Sequence, residues 1–134
     1  MPKEHINPKS LFPSVQHGFS QIVTARGGKT VYISGQTAWD AQKQIIGGRN
    51  LGEQTRQALR NIRTAVEAGG GDLTDIVSVR IYVVTYKPDD AGPIGKVFRE
   101  FFPGDGPPAS TWIGVSSLAV EDFLIEIEAI AVVE

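Results

Sequence analysis

The chain has 134 residues, 41% apolar and 21% charged, with a formal net charge of −2, two histidines and no cysteine. These values fit one soluble domain over residues 1–134 with its own core, and they exclude disulfide staples, thiolate chemistry and a histidine–cysteine metal cluster. The charge gives no general attraction to nucleic acid or to an anionic membrane. No run approaches the ~18 apolar residues of a membrane span, and the opening MPKEHINPKSLFPS lacks a signal-like apolar stretch, so a cytoplasmic location is expected.

Residues 1–14 carry three prolines and read as an extended lead-in. GFSQIVTA (18–25) and TVYISGQ (30–36) read as two strands of a hairpin joined by RGGK, with Gly27 and Gly28 supplying positive φ. TAWDAQKQIIGG (37–48) reads as a loop or short ribbon. A helix starts near Asn50: Leu51, Thr55, Ala58, Leu59, Ile62, Ala65 and Val66 form its apolar stripe. Gln54, Arg56, Gln57, Arg60, Asn61, Arg63 and Glu67 form its polar face, and Gly69–Gly71 end it. DIVSVRIYVV (75–84) alternates as a strand, with Val77, Val79, Ile81 and Val83 on one face and Ser78, Arg80 and Tyr82 on the other. KPDDAGP caps a second helix whose Ile94, Val97, Phe98 and Phe101 recur at helical spacing, and Pro103–Gly104 stop it. ASTWIGV (109–115) is a short strand, and EDFLIEIEAIAVV (121–133) closes the chain.

The order is β-β-α-β-α-β-β, an α/β (α+β) class with a mixed sheet and both helices on one face. Several strands, above all the last, are apolar on both faces. A sheet with two apolar faces and helices for only one predicts an oligomer that covers the second.

Candidate chemistry is sparse. The row Arg56, Arg60, Arg63 is either an anion or RNA contact or a solvated face with local ion pairs; no aromatics interleave with it as single-strand binding would require. No GxSxG, Walker or GxGxxG pattern occurs. GGRNLG and GGGD sit at helix ends, where capping explains glycine, and His17 is a lone histidine beside Gly18. That leaves carboxylates. In LIEIEAIAVV (124–133), Ile125, Ile127, Ala129, Ala131 and Val133 make one face, whereas Glu126 and Glu128 share the other. Two strand residues apart, they stand roughly 7 Å from each other. Their repulsion is about 2 kcal/mol at an effective dielectric of ~20. Either that face is wet, or one carboxylate meets donors in a cleft, where a glutamate can orient water or shuttle a proton.

VYISGQ (31–36), PPASTWIGVSSL (107–118) and LIEIEAIAVV (124–133), in this order and spacing, resemble the Rid (YjgF, reactive-intermediate imine deaminase) family, as does the helix QTRQALRNIRTAVEAGGG followed by its strand. The resemblance spans residues 17–133. It implies a chorismate-mutase-like fold and a homotrimer whose sheets form a central barrel with sites in the clefts between subunits. It also implies hydrolysis of small reactive enamines or imines, such as 2-aminoacrylate, to keto acids and ammonia, with no cofactor or metal. On this resemblance the catalytic residue is Glu126, which positions water, and the substrate-binding residues are Phe19, Ser34, Gly35, Ser110, Thr111 and Trp112. The chain departs from the family pattern at several points. Ser110 stands where the family has a carboxylate-binding arginine, Trp112 where it has cysteine, Phe19 where it has tyrosine, and Gly95 where it has an asparagine. These changes make the expected pocket less cationic and more aromatic. A non-catalytic metabolite-binding trimer in the same cleft is the alternative, and ribonuclease or translation inhibition a third reading.

Overall fold

The computed structural model describes residues 3–134. In chain order the elements are β1 (Lys3–Ile6), β2 (Ile22–Ala25), β3 (Lys29–Gln36), α1 (Leu51–Ala68), β4 (Ile76–Val84), α2 (Ala91–Phe101), β5 (Ala109–Val115) and β6 (Ile125–Val133). The main sheet has strand order β3-β6-β4-β5. β6 runs antiparallel to both of its neighbours, and β4 and β5 pair in parallel through the α2 crossover.

The hairpin expected over residues 18–36 does not form. Gly27 and Gly28 do take positive φ (72° and 69°), but the turn they make separates two sheets. β2 pairs with β1, so part of the lead-in is a strand, whereas β3 pairs with β6. β6 is the more apolar partner, and pairing with it buries Ile33. The segment 37–48 is a short ribbon with one bridge, Trp39 to Ile45.

The core lies between the helices and one face of the main sheet. Ala58, Leu59, Ile62 and Val66 of α1 and Ile94, Val97 and Phe98 of α2 meet Val79, Ile81, Val83, Ile125 and Ile127 there. Burying each large aliphatic side chain contributes about 1.5–3 kcal/mol, so this face carries most of the fold's hydrophobic stability. α1 begins where the Asn50 side chain accepts from the Glu53 amide (2.8 Å), and Gly70, at φ 98°, lets the chain leave it.

Two residues assigned to the polar face of α1 lie elsewhere. Gln54 is fully buried; its Nε2 donates to the carbonyls of Gly48 (2.6 Å) and Asp122 (2.9 Å), and its Oε1 accepts from the Leu124 amide (2.9 Å). Asn61 donates to the carbonyls of Thr37 (2.9 Å) and Trp39 (2.8 Å). Both satisfy loop backbone that could not otherwise be buried. Val77 also departs from the expected buried row. The β4–β6 register shifts between Ile76 and Ser78, so Ile76 takes the buried place and Val77 is half-exposed. The arginine row is a face of local pairs. Arg56 bonds Glu53 and, at 3.0 Å, Glu100, while Arg63 lies 5.3 Å from the Phe101 ring centroid.

Candidate active site

The second face of the main sheet has no helix over it. Strand register sets its side chains in rows: Glu126 opposite Tyr82, which pairs with Ile113, and Glu128 opposite Arg80, which pairs with Thr111. Beyond them Ile130 sits between Ser78 and Tyr32, a residue 79% exposed. Along β6 burial alternates residue by residue, with Ile125, Ile127, Ala129, Ala131 and Val133 buried and Glu126, Glu128, Ile130 and Val132 half-exposed.

The two carboxylates have different surroundings. Glu128 accepts a hydrogen bond from the Tyr82 hydroxyl. That bond, then desolvation and the Glu128 charge, hold the Tyr82 pKa above its usual value against the opposing influence of Arg80. Tyr82 is therefore a neutral donor at neutral pH. Glu126 has no hydrogen-bond donor on its side chain among the described residues. It packs on Gly35, which lies in the β3 segment where the register with β6 breaks between Ile33 and Gln36. A methyl group on Gly35 would stand 2.8 Å from Cδ of Glu126 and nearer still to its Oε2. Only the absent side chain lets the carboxylate lie there. Gly35, Tyr82, Leu118, Glu126 and Glu128 line one open concavity of about 280 Å³.

The remaining expected site residues are elsewhere. Phe19, Ser110 and Thr111 line a second concavity, of about 240 Å³, with Ser78 and Arg80. Ser34 is exposed in the same irregular part of β3 as Gly35. Trp112 pairs with Ile81, whose side chain is in the core, and itself packs against that core from the helix side. Its Nε1 donates to Ser110 Oγ (3.0 Å), and its ring meets Tyr86 edge-on at 6.3 Å. Ser110 and Trp112 thus belong to the sheet face opposite Glu126 within one chain. Gly95 is buried in α2, beside Arg99. Tyr82, Leu118 and Arg80 were not foreseen as lining residues. Alternation had already placed Tyr82 and Arg80 on the polar side of their strand, but it could not say that this side would meet the glutamates of β6. Among the described residues no group of three or more His, Cys, Asp or Glu could hold a metal ion, and no helix is long and apolar enough to cross a membrane.

The chain matches the family model described as Endoribonuclease L-PSP over residues 10–133. It belongs to this family, that of the Rid proteins. The Rid chain is 36% identical over 124 residues to a RutC family protein of Pyrococcus horikoshii, covering 92% of this chain and 90% of that one. It is 32% identical over 134 residues, the full length of both (100%), to a 2-iminobutanoate/2-iminopropanoate deaminase of Dermatophagoides farinae. The crystal structure of YyfB, a Rid family protein of Yersinia pestis, superposes with a TM-score of 0.95 at 39% identity, covering 99% of this chain and 100% of that one. Two helices on a mixed sheet are therefore the chorismate-mutase-like Rid fold.

Proposed function

We propose that this Rid protein is a cytoplasmic homotrimer that hydrolyses small enamines or imines at the clefts between its protomers, with Glu126 orienting the attacking water. The observation that carries the reading is the free Glu126 carboxylate, half-buried against Gly35 beside a neutral tyrosine hydroxyl. In a sheltered concavity such a carboxylate accepts a proton from water as the water oxygen bonds to the C=N carbon. The proton passes to nitrogen to give the carbinolamine; its hydroxyl proton then moves to nitrogen as the C–N bond breaks and the C=O bond forms, and a carbonyl compound and ammonia leave. Water supplies the oxygen, and the step needs neither oxidant nor reductant.

The trimer accounts for two features of the single chain. The uncovered face presents Tyr32, Ile113, Ile130 and Val132, which a neighbouring sheet would shelter. The expected site residues fall into two groups, Gly35 with Glu126 and Phe19 with Ser110 and Thr111, and a cleft between protomers would let one chain's group face its neighbour's. The deaminase name of the 32%-identical relative agrees with the chemistry. The test is ammonia release from freshly generated imines by the native chain and by Glu126→Gln. A loss of about 10²–10⁴-fold is expected for removal of a positioned base; equal rates would remove Glu126 from the mechanism.

A second reading, a non-catalytic binder of small metabolites in the same cleft, is favoured by Phe19 and Ser110, which bring neither a phenolic hydroxyl nor a charge to their concavity. Ligand-dependent thermal shifts with no ammonia release from any imine would support it over the hydrolase.

A further inference from the structure

We infer that Glu128 is a second catalytic residue of the same site, holding the nitrogen that leaves as ammonia while Glu126 holds the water, with Tyr82 positioning it; the inference rests on the proposed hydrolase. Glu126 and Glu128 follow one another on the uncovered face of β6, and both line the concavity of about 280 Å³ with Gly35, Tyr82 and Leu118. No basic side chain shares that lining. The two acids are held differently. Glu126 rests on Gly35 with no donor, free to take a proton. Glu128 Oε1 accepts from the Tyr82 hydroxyl, whose oxygen is itself hydrogen-bonded by Arg80.

The chain Arg80–Tyr82–Glu128 fixes Glu128 without neutralising it. Arg80 is the register partner of Glu128, yet no ion pair closes between them among the described residues, and the phenol bridges guanidinium and carboxylate. Tyr82 is a neutral donor, so it orients one oxygen of Glu128 and leaves the negative charge in place. The other oxygen, Oε2, has no donor among the described residues. A carboxylate so held can only accept. The ligand atom that meets it must carry hydrogen, and at the reacting centre of an imine or enamine that atom is nitrogen.

The spacing suits this division of work. Acids two residues apart on a strand stand roughly 7 Å from each other. A water lies roughly 2.8 Å from one carboxylate and about 3 Å from the carbon it attacks. The nitrogen is about 1.3 Å beyond that carbon and roughly 2.8 Å from the second carboxylate. Bent at the attacked carbon, this chain of contacts fits the gap. The protons of hydrolysis move as already described: Glu128 carries none of them, and no bond to it forms or breaks. Its charge instead favours the protonated forms of the nitrogen, in which the C=N carbon is electrophilic and the amine can leave. The carbonyl product has no N–H to offer, so it loses this contact and is released.

The test uses a stable cation, so that it does not require turnover. Acetamidinium carries a planar C=N group with N–H donors and a positive charge; acetamide has the same shape and no charge. Binding of both is measured by calorimetry on the native chain, Glu128→Gln, Glu126→Gln and Tyr82→Phe, with the thermal midpoint of each variant as the control for folding. The native chain is expected to prefer acetamidinium by about tenfold to a hundredfold, the range for a charge-assisted hydrogen bond. Glu128→Gln keeps an oxygen for Tyr82, and it is expected to lose about tenfold or more in acetamidinium affinity and about 10²-fold in ammonia release, with acetamide binding unchanged. Glu126→Gln is expected to lose less acetamidinium affinity than Glu128→Gln. Tyr82→Phe is expected to lose part of it, because Arg80 is then free to pair with Glu128. Absence of acetamidinium binding, no preference in the native chain, unchanged affinity in Glu128→Gln, or a greater loss in Glu126→Gln would overturn the assignment; native affinity in Tyr82→Phe would overturn the positioning role. A Glu128-dependent preference in a protein that releases no ammonia from any imine would remove the hydrolase and keep the nitrogen subsite; ammonia release by Glu128→Gln at the native rate would do the reverse.

Discussion

The two faces of one sheet are built to different rules. On β6, Ile125 and Ile127 are 0% exposed under the helices, while Glu126 between them reaches the other side half-exposed. The helix-covered face is closed: every buried polar side-chain atom among the described residues has a partner, and Gln54 satisfies three backbone groups of the loops around it. The uncovered face leaves one group unspent among the described residues, the Glu126 carboxylate, whose side chain has no hydrogen-bond donor. A strand with period-two alternation can thus serve stability with its odd-numbered residues and chemistry with its even-numbered ones. Because the two sets share a backbone, the buried set fixes where the reactive set points.

Substitutions can break this division at either face. The largest effect is expected at Gly35. Its φ is one that alanine adopts, so Gly35→Ala should fold, but the new methyl group must push the Glu126 carboxylate aside. A displacement of about 1 Å costs on the order of 10²-fold in rate, read as kcat/KM for imine hydrolysis with the thermal midpoint little changed. Retained rate would place the chemistry away from Glu126. On the covered face, Gln54→Ala should lower stability by about 2–3 kcal/mol, since it strands buried carbonyls and an amide; denaturant unfolding measures it, and a neutral result would mean that water replaces the side chain. Arg56→Ala, on the exposed face of α1, should cost no more than about 1 kcal/mol despite its bonds to Glu53 and Glu100.

The smallest effect is a pH dependence at the edge of the fold. Desolvation, with help from Lys3, lowers the pKa of His5 below 6.5 against a bond to the Pro107 carbonyl. The unfolded chain then binds the proton more readily than the native one. This contribution is fully present above the unfolded value of 6.5 and is lost as pH falls through it toward the lower native value. Replacing His5 with Gln should flatten the fall in thermal midpoint over that window; an unchanged slope would mean that other groups cause it.

Much of this was legible in the sequence, and the failures have physical causes. The alternation in LIEIEAIAVV correctly separated Glu126 and Glu128 from the buried row, and helical spacing placed the stripes of α1 and α2, because burial imposes those periods directly. The pairing of β2 and β3 was misread because RGGK fits a tight turn and a turn motif carries no information about competing partners; β6, about a hundred residues further on, offered β3 the better one. Gln54 looked like surface because glutamine usually is, and its role depends on loop carbonyls that only the folded chain brings near. That Ser110 and Trp112 face away from Glu126 could not be told by motif, since the face each residue of PPASTWIGV takes is set by the pairing of β5 with β4, which puts Ser110 and Trp112 beside the core residues Val79 and Ile81.

The central claim, that neighbouring residues of β6 divide stability from chemistry, is tested most directly by measuring thermal midpoint and ammonia release together for Glu126→Gln and Ile127→Ala. The account predicts that Glu126→Gln loses rate with its midpoint preserved, whereas Ile127→Ala loses about 2–5 kcal/mol of stability and keeps its rate per folded molecule. A Glu126→Gln protein that releases ammonia as fast as the native chain would contradict it.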